Sequence, residues 1–171
     1  MKITGGTLRG RVVPGSVPKG VRPTSSRVRE AMFSMIGQEL QGTTVLDGFA
    51  GSGLLTFEAA SRGATVTTVE RDRQVARKLR ERAQGLGVTL DLRTGDARDT
   101  LSSGSWDIVI LDPPYADEPV DWVSAGASAT DSMLVIEHAT GAVMPALVGN
   151  LVLERSRRYG DSTLTIYRRG A

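Results

Sequence analysis

The sequence predicts an α/β domain: a mostly parallel, seven-stranded sheet with helices on both faces and an antiparallel hairpin at its C-terminal end. Three observations carry this expectation. From residue 43 onward, short apolar or β-branched runs alternate with helical patterns, as parallel strands joined by helical crossovers do. One run, WDIVILD (106–112), is almost continuously apolar, as a strand buried on both faces must be. The last stretch, LVLERSRRYGDSTLTIYRR, reads as two strands folded back at YGDS.

Before that alternation the chain has another character. Residues 1–23 are rich in Gly, Pro and Arg and read as a basic arm of short strands, set before a domain covering 24–171. PTSSRVRE then starts a helix. Thr24 or Ser26 can cap its first N–H groups, and Val28, Met32, Met35, Ile36 and Leu40 recur at helical spacing. TTVLDGF is the first core strand, and 51–62 reads as a helix. ATVTTVE is a second strand, followed by a charged helix over 72–84. VTLDLRTGD supplies the third strand and WDIVILD the fourth. Residues 119–127 read as a short helix, SMLVIEH as the fifth strand, and the hairpin completes the seven.

Composition narrows the chemistry. The absence of cysteine removes disulfides, thiolate metal sites and thiol nucleophiles together, and a single histidine, His138, forms no metal cluster. No metal site is expected. MKITGGTLRG lacks the apolar core of a secretory signal, and no apolar run approaches the ~20 residues that span a bilayer. A soluble cytoplasmic protein is therefore expected. Net charge is +2 but unevenly spread. Residues 1–29 hold Lys2, Arg9, Arg11, Lys19, Arg22, Arg27 and Arg29 with no acid, and the C-terminal stretch adds Arg155, Arg157, Arg158, Arg168 and Arg169. Basic ends suit a polyanion, because each phosphate contact releases counterions, although any solvated surface also carries charge runs.

The loop DGFAGSG (47–53) joins the first strand to the next helix. Gly51 and Gly53 allow a sharp bend and a close backbone approach to a ligand. Thr56 stands where a dinucleotide fingerprint has its third glycine, and Asp47 would repel a pyrophosphate. A cationic ligand without phosphates fits better. S-adenosylmethionine carries a sulfonium, an ammonium and a carboxylate, so it requires an acid beside N–H groups at a helix start. Glu70 ends the second strand, 19 residues beyond Gly51, where a carboxylate can accept both ribose hydroxyls. Asp96, in TGDA, is placed to accept from an adenine amino group. Each acid alone is ordinary strand punctuation; the ordered set at three successive strand ends points to the cofactor.

WDIVILDPPY ends the fourth strand with an acid, two prolines and an aromatic, at the edge where open α/β sheets bind ligands. An aromatic or amide amine is a poor nucleophile because its lone pair is delocalised. Methylating it requires acceptors that draw the nitrogen toward tetrahedral geometry. Asp112 offers a carboxylate and Pro113 a carbonyl, and the two prolines hold the loop so that the acceptors are already aimed. Tyr115 offers a face on which a flipped base can stack. Catalysis is then positioning plus electrostatics, with the proton leaving once the amine is cationic. His138, Trp106 and Trp122 read as structural.

Together these motifs resemble the class I S-adenosylmethionine-dependent methyltransferases, with their Rossmann-like fold. Within these they resemble the RsmD-type enzymes that methylate guanine N2 in 16S ribosomal RNA. The resemblance runs through nearly the whole chain, in GG-x-x-RG, RPTSSRVREAMF, VLDGFAGSGLLTFEAASRGA, WDIVILDPPY, VIEH and RRYGDSTLTIYRR. DPPY is shared with DNA adenine-N6 and several RNA enzymes, so RPTSSRVREAMF with the FAGSG loop is the more diagnostic pair. The resemblance implies cofactor contacts at Asp47, Phe49, Ala50, Gly51, Ser52, Gly53, Glu70, Arg71, Asp96, Ala97 and Asp112. It implies that Asp112, Pro113, Pro114 and Tyr115 meet the target amine, and that Arg9, Arg11, Arg22, Thr24, Arg27 and Arg29 meet RNA. The substrate it implies is guanine 966 of 16S ribosomal RNA, in an assembling small subunit, acted on by a monomer.

Two positions depart from the family's pattern. Gly48 stands where a large apolar residue is expected, and Leu55-Thr56 replaces a Gly-containing run; both predict a loosened loop. The rival readings fit less well. A DNA adenine-N6 enzyme needs a target-recognition domain for which 171 residues leave no room. A ribosome-assembly protein without catalysis has no use for Asp112 and the glycine loop together.

Overall fold

Ser25 opens the first helix, α1 (Ser26–Ile36), its hydroxyl accepting the N–H of Val28 at 3.2 Å. The cap is thus the residue between the two expected; Thr24 lies outside the described residues. In the computed structural model, which describes residues 1–15 and 25–171, the chain forms two units, Met1–Asp96 and Ala97–Ala171. Gly37, at φ +126°, ends α1, so Leu40 lies past the helix, though still buried.

In the first unit follow β1 (Thr44–Asp47), α2 (Leu54–Ser61), β2 (Thr65–Glu70), α3 (Arg73–Leu86) and β3 (Asp91–Thr94). β2 pairs in parallel with β1 and with β3, in registers that include Thr44↔Thr65 and Thr67↔Asp91. α3 shows its causes plainly. Asp72 caps its first turn, accepting from Gln74 and Val75; Ala76, Leu79, Ala83 and Leu86 form its buried stripe; and left-handed Gly87 closes it. α2 is buried almost all round, as its apolar composition requires.

The described part of the basic arm is packed into this unit. Lys2 bridges antiparallel to Val12, and Ile3 and Val13 are each 1% exposed, in one cluster with Leu54, Phe57 and Leu79. Glu58 of α2 fastens the arrangement. Its Oε1 accepts from Thr4 N at 2.6 Å and from Arg29 Nε at 3.0 Å, while its Oε2 pairs with Arg62 Nη1. Arg29 also donates to the Lys2 carbonyl at 2.9 Å, and the Arg62 guanidinium lies 4.4 Å from the Phe33 ring centroid. All three charged groups are buried.

The second unit contains α4 (Ala97–Ser103), β4 (Ile108–Leu111), α5 (Pro119–Ala127), β5 (Met133–Ala139), β6 (Leu147–Val148), β7 (Leu151–Tyr159) and β8 (Ser162–Arg169). β4 pairs with β5 in parallel; β8 runs antiparallel to β5 and to β7, with a bulge between Leu153 and Arg155. The described residues therefore hold eight strands, not seven. The extra strand, β6, has two residues, too few to show a period, and pairs with the start of β7. Helix α4 was likewise not foreseen: ARDTLSS is short and polar, and only Ala97, Thr100 and Leu101 are buried. Among the described residues, no helix is long and apolar enough to cross a membrane.

Candidate active site

In the first unit the glycine loop is shaped by its own backbone and by three side chains. Gly53 precedes α2 at φ +83°, where a Cβ would lie 2.5 Å from Leu79 Cδ2 and 2.7 Å from Phe57 Cε2. Close packing and the left-handed backbone both demand glycine there. Gly51, at φ +52°, donates its N–H to Glu70 Oε2 at 3.0 Å, and Ala50 N–H donates to the Val69 carbonyl at 3.0 Å. Arg82, from α3, donates to the Ser52 carbonyl at 2.7 Å. Glu70 also accepts from Asp72 N–H through Oε1 at 2.8 Å, and its carbonyl accepts from Gly95 N–H at 3.0 Å. Asp47, the loop, Glu70 and the turn carrying half-buried Asp96 thus belong to one hydrogen-bonded unit.

Asp47 sits at the end of β1 and is only 2% exposed. Its Oδ2 accepts from Thr56 Oγ1 at 2.7 Å and its Oδ1 from Phe49 N–H at 3.3 Å. The Thr56 hydroxyl in turn lies 3.1 Å from Thr68 Oγ1. Burial pushes the Asp47 carboxyl up to about 6, against the lowering effect of the Thr56 and Phe49 hydrogen bonds; the nearby Glu70 charge adds to the rise. The loosening expected from Leu55-Thr56 is not what the structure shows. Leu55 is buried, and Thr56 donates its one hydroxyl proton to the acid that ends β1.

A raised carboxyl has a sign. The folded state holds the Asp47 proton to higher pH than the unfolded chain does, so this group disfavours folding increasingly as pH rises from about 4 to about 6. Asp47→Asn is expected to unfold at a temperature a few degrees higher than the wild type at pH 7.5, on the order of 1–3 kcal/mol, and at nearly the same temperature near pH 4. Melting both proteins across that range checks it, and a difference independent of pH would refute the burial argument.

Of the other cofactor candidates, Phe49 is half-buried, Ala50, Ser52 and Ala97 are buried, and Arg71 is exposed.

In the second unit the fourth strand delivers the loop after it, as its buried IVIL pattern requires. Asp112 is half-buried, Pro113 buried and Pro114 exposed, and the Pro114 carbonyl accepts Asp117 N–H at 3.0 Å to close a turn. Tyr115 is 43% exposed, and its hydroxyl is hydrogen-bonded to Ser162 Oγ at the start of β8. Pro113, Pro114 and Tyr115 line a pocket of about 200 Å³, completed by Ala116, Asp117, Glu118, Pro119, His138, Ala139 and Ala142.

His138 is anchored on both nitrogens. Nδ1 lies 3.0 Å from the Ala139 carbonyl, which can only accept, so Nδ1 carries a hydrogen; Nε2 lies 2.8 Å from Thr165 Oγ1. Trp122 is buried, donates to Asp117 at 2.9 Å, and has the Arg98 guanidinium 3.9 Å from its ring centroid. Both residues support the pocket wall through hydrogen bonds.

The RNA candidates separate. Arg9, Arg11 and Arg27 are exposed. Arg29 is corrected: at 3% exposure, with its guanidinium on Glu58 and the Lys2 carbonyl, it is a buried structural group. Arg22 and Thr24 lie outside the described residues. Thr56, Arg82, Glu58 and Ser162 were missed as positioning groups. Thr56 alone had a signal, as the residue breaking the glycine pattern directly after the loop. Among the described residues, no group of His, Asp and Glu gathers to hold a metal ion.

The chain is similar to several known proteins. A family model described as Conserved hypothetical protein 95 matches residues 1–168. Ribosomal RNA small subunit methyltransferase D of Escherichia coli (strain K12) is 31% identical over 186 residues, covering 100% of this chain and 91% of that protein. The solved structure "Putative methyltransferase yhhF from Escherichia coli" has a TM-score of 0.86 at 31% identity, covering 100% of this chain and 98% of its own. The solved structure "Crystal structure of putative methylase HI0767 from Haemophilus influenzae" has a TM-score of 0.79 at 27% identity, covering 99% of this chain and 98% of its own.

Proposed function

Because the chain belongs to the RsmD-type methyltransferase family, we propose that it transfers a methyl group from S-adenosylmethionine to the exocyclic N2 amine of a guanine in 16S ribosomal RNA. The observation that carries the reading is the knitted loop of the first unit, with Asp47 buried behind it and Glu70 holding Gly51. A buried carboxylate with a raised proton affinity suits a cationic ligand, and the same charge disfavours a pyrophosphate. Each Glu70 oxygen accepts one backbone N–H, which leaves a second lone pair on each for a ribose hydroxyl. Gly51, at φ +52°, adds no Cβ to the loop, which permits a close backbone approach.

S-adenosylmethionine, when bound, supplies an electrophilic methyl group on a sulfonium. The rest is the work of this chain's residues. Asp112 and the Pro113 carbonyl accept from the N–H groups of the guanine amine, which concentrates its lone pair and directs it toward the incoming carbon. Tyr115, held by Ser162, offers its ring to the base. The amine becomes cationic as its N–C bond forms in exchange for the methyl–sulfur bond, whose electron pair stays on sulfur, and its proton then passes to an acceptor already in hydrogen-bond contact. Arg9, Arg11 and Arg27 supply exposed charge for the RNA backbone, with Arg22 and Thr24 as further candidates.

The test is a product analysis. Purified protein, methyl-labelled S-adenosylmethionine and small-subunit ribosomal RNA, naked or partly assembled, are incubated and the RNA is digested to nucleosides. Label is expected in N2-methylguanosine. Label in N6-methyladenosine would overturn the base assignment, and no label in any RNA would overturn the activity. Mapping the labelled nucleotide decides whether it is guanine 966.

A further inference from the structure

The arginines of β7 are a motif that the site above does not use. Arg155, Arg157 and Arg158 are exposed, and among the described residues no carboxylate pairs with them; the adjacent Glu154 pairs with Arg168. β8 bonds β7 along one edge, while β6 covers the other edge only at Leu151 and Val152. Leu153 N–H still donates to the Ala146 carbonyl at 2.9 Å, and from Glu154 to Tyr159 no strand among the described residues pairs with that second edge.

The strand ends at the pocket. Tyr159 is in register with Ser162, and Ser162 with Ala139, which lines the pocket. The Ser162 hydroxyl also holds Tyr115. At a rise of ~3.4 Å per residue, the three arginines start within roughly 14 Å of that junction. Two of them are turned toward it: Arg157 lies 5.8 Å from the Tyr159 ring centroid, and Arg158 Nε donates to the Gly160 carbonyl at 2.8 Å. Beyond the bulge, Arg155 and Arg157 share one face of the strand and Arg158 takes the other, so charge of one sign flanks the edge on both sides.

We propose that this edge of β7 binds the phosphate backbone of the RNA strand whose base enters the pocket at Tyr115. The proposal rests on the RNA reading given above. Its chemistry is that of guanidinium forks on phosphate oxygens, charge-assisted and without base preference. An added protein strand is the weaker occupant, because clustered charge on an open edge opposes strand pairing.

The experiment compares the full-length wild type with a triple variant, Arg155→Gln, Arg157→Gln and Arg158→Gln, on small-subunit ribosomal RNA. The slope of log affinity against log salt is expected to become shallower by about 2, at roughly 0.7 per lost phosphate contact. KM for RNA is expected to rise about tenfold or more near 150 mM salt, with kcat within about twofold and an unchanged melting temperature. The corresponding Arg→Lys triple variant should recover most of the slope, because charge is kept. An unchanged slope and KM would overturn the proposal. So would aggregation of the Gln variant with intact kinetics, which would leave the arginines as guards of an open edge. If the wild type itself neither binds nor methylates the RNA, the functional reading fails and takes this proposal with it; a defect confined to the variant isolates the surface.

Discussion

Asp112→Ala is expected to lower kcat for methyl transfer by about 10²–10³-fold or more, the scale on which a preorganised transition-state contact acts. Affinity for S-adenosylmethionine should stay within a few-fold, because the proposed principal role of this carboxylate is at the target amine. The pattern separates the role from a fold defect: kcat and kcat/KM fall together while cofactor binding, read by calorimetry, persists. Asp112→Asn should lie between, since one carbonyl acceptor survives and one becomes a donor. Near wild-type turnover by the alanine variant on partly assembled small-subunit RNA would remove Asp112 from the reaction.

The largest stability effect is expected at Glu58, the α2 residue that holds Arg29, Arg62 and the backbone of Thr4. Its carboxylate is fully buried between Arg29 and Arg62 and also holds the backbone of Thr4. Glu58→Gln keeps the shape and one acceptor but leaves two buried guanidiniums without their counter-charge. A loss of about 3–5 kcal/mol is expected, because an uncompensated buried charge is far costlier than a missing neutral contact. For a chain of 171 residues this is a fall in melting temperature of roughly 6–20 °C. The N-terminal segment should become the first to exchange amide hydrogens, since Thr4 and Lys2 lose their anchor. A change below about 1 kcal/mol in denaturant unfolding would mean that the network is not what holds the arm.

Arg27 and Arg29 show why part of the site could not be read from residue order. They stand two apart on one helix start, in the same basic run, and look alike as candidates for phosphate. Folding exposes Arg27 and turns Arg29 inward onto Glu58, 29 residues away. Helical spacing sets Arg29 on the stripe of Met32, Phe33 and Ile36 and leaves Arg27 off it, but the counter-charge that receives Arg29 comes from another helix. Arg82 is the same case: in sequence it is one of several charges on α3, yet it reaches the Ser52 carbonyl. Thr56 erred in the other direction. As a departure from a glycine pattern it suggested a weaker loop, whereas its hydroxyl meets the acid at the end of β1.

The alternation of strands and helices apart from α4 and β6, the mostly parallel sheet, the closing hairpin, and the acids at the ends of β1, β2 and β4 follow from residue order alone. Those features depend on periodicity, capping and turn chemistry, which are properties of residues within a few positions of one another. Other features arise only when distant segments pack. These are the counter-charge that takes Arg29 inward, how the N-terminal segment is held by Glu58, the tie from Tyr115 to Ser162, and the burial that holds a proton on Asp47 to about pH 6. Each is set by partners tens of residues away or by burial. The energy of a charge depends on the water it loses and the counter-charge it gains, and the packed chain alone specifies both.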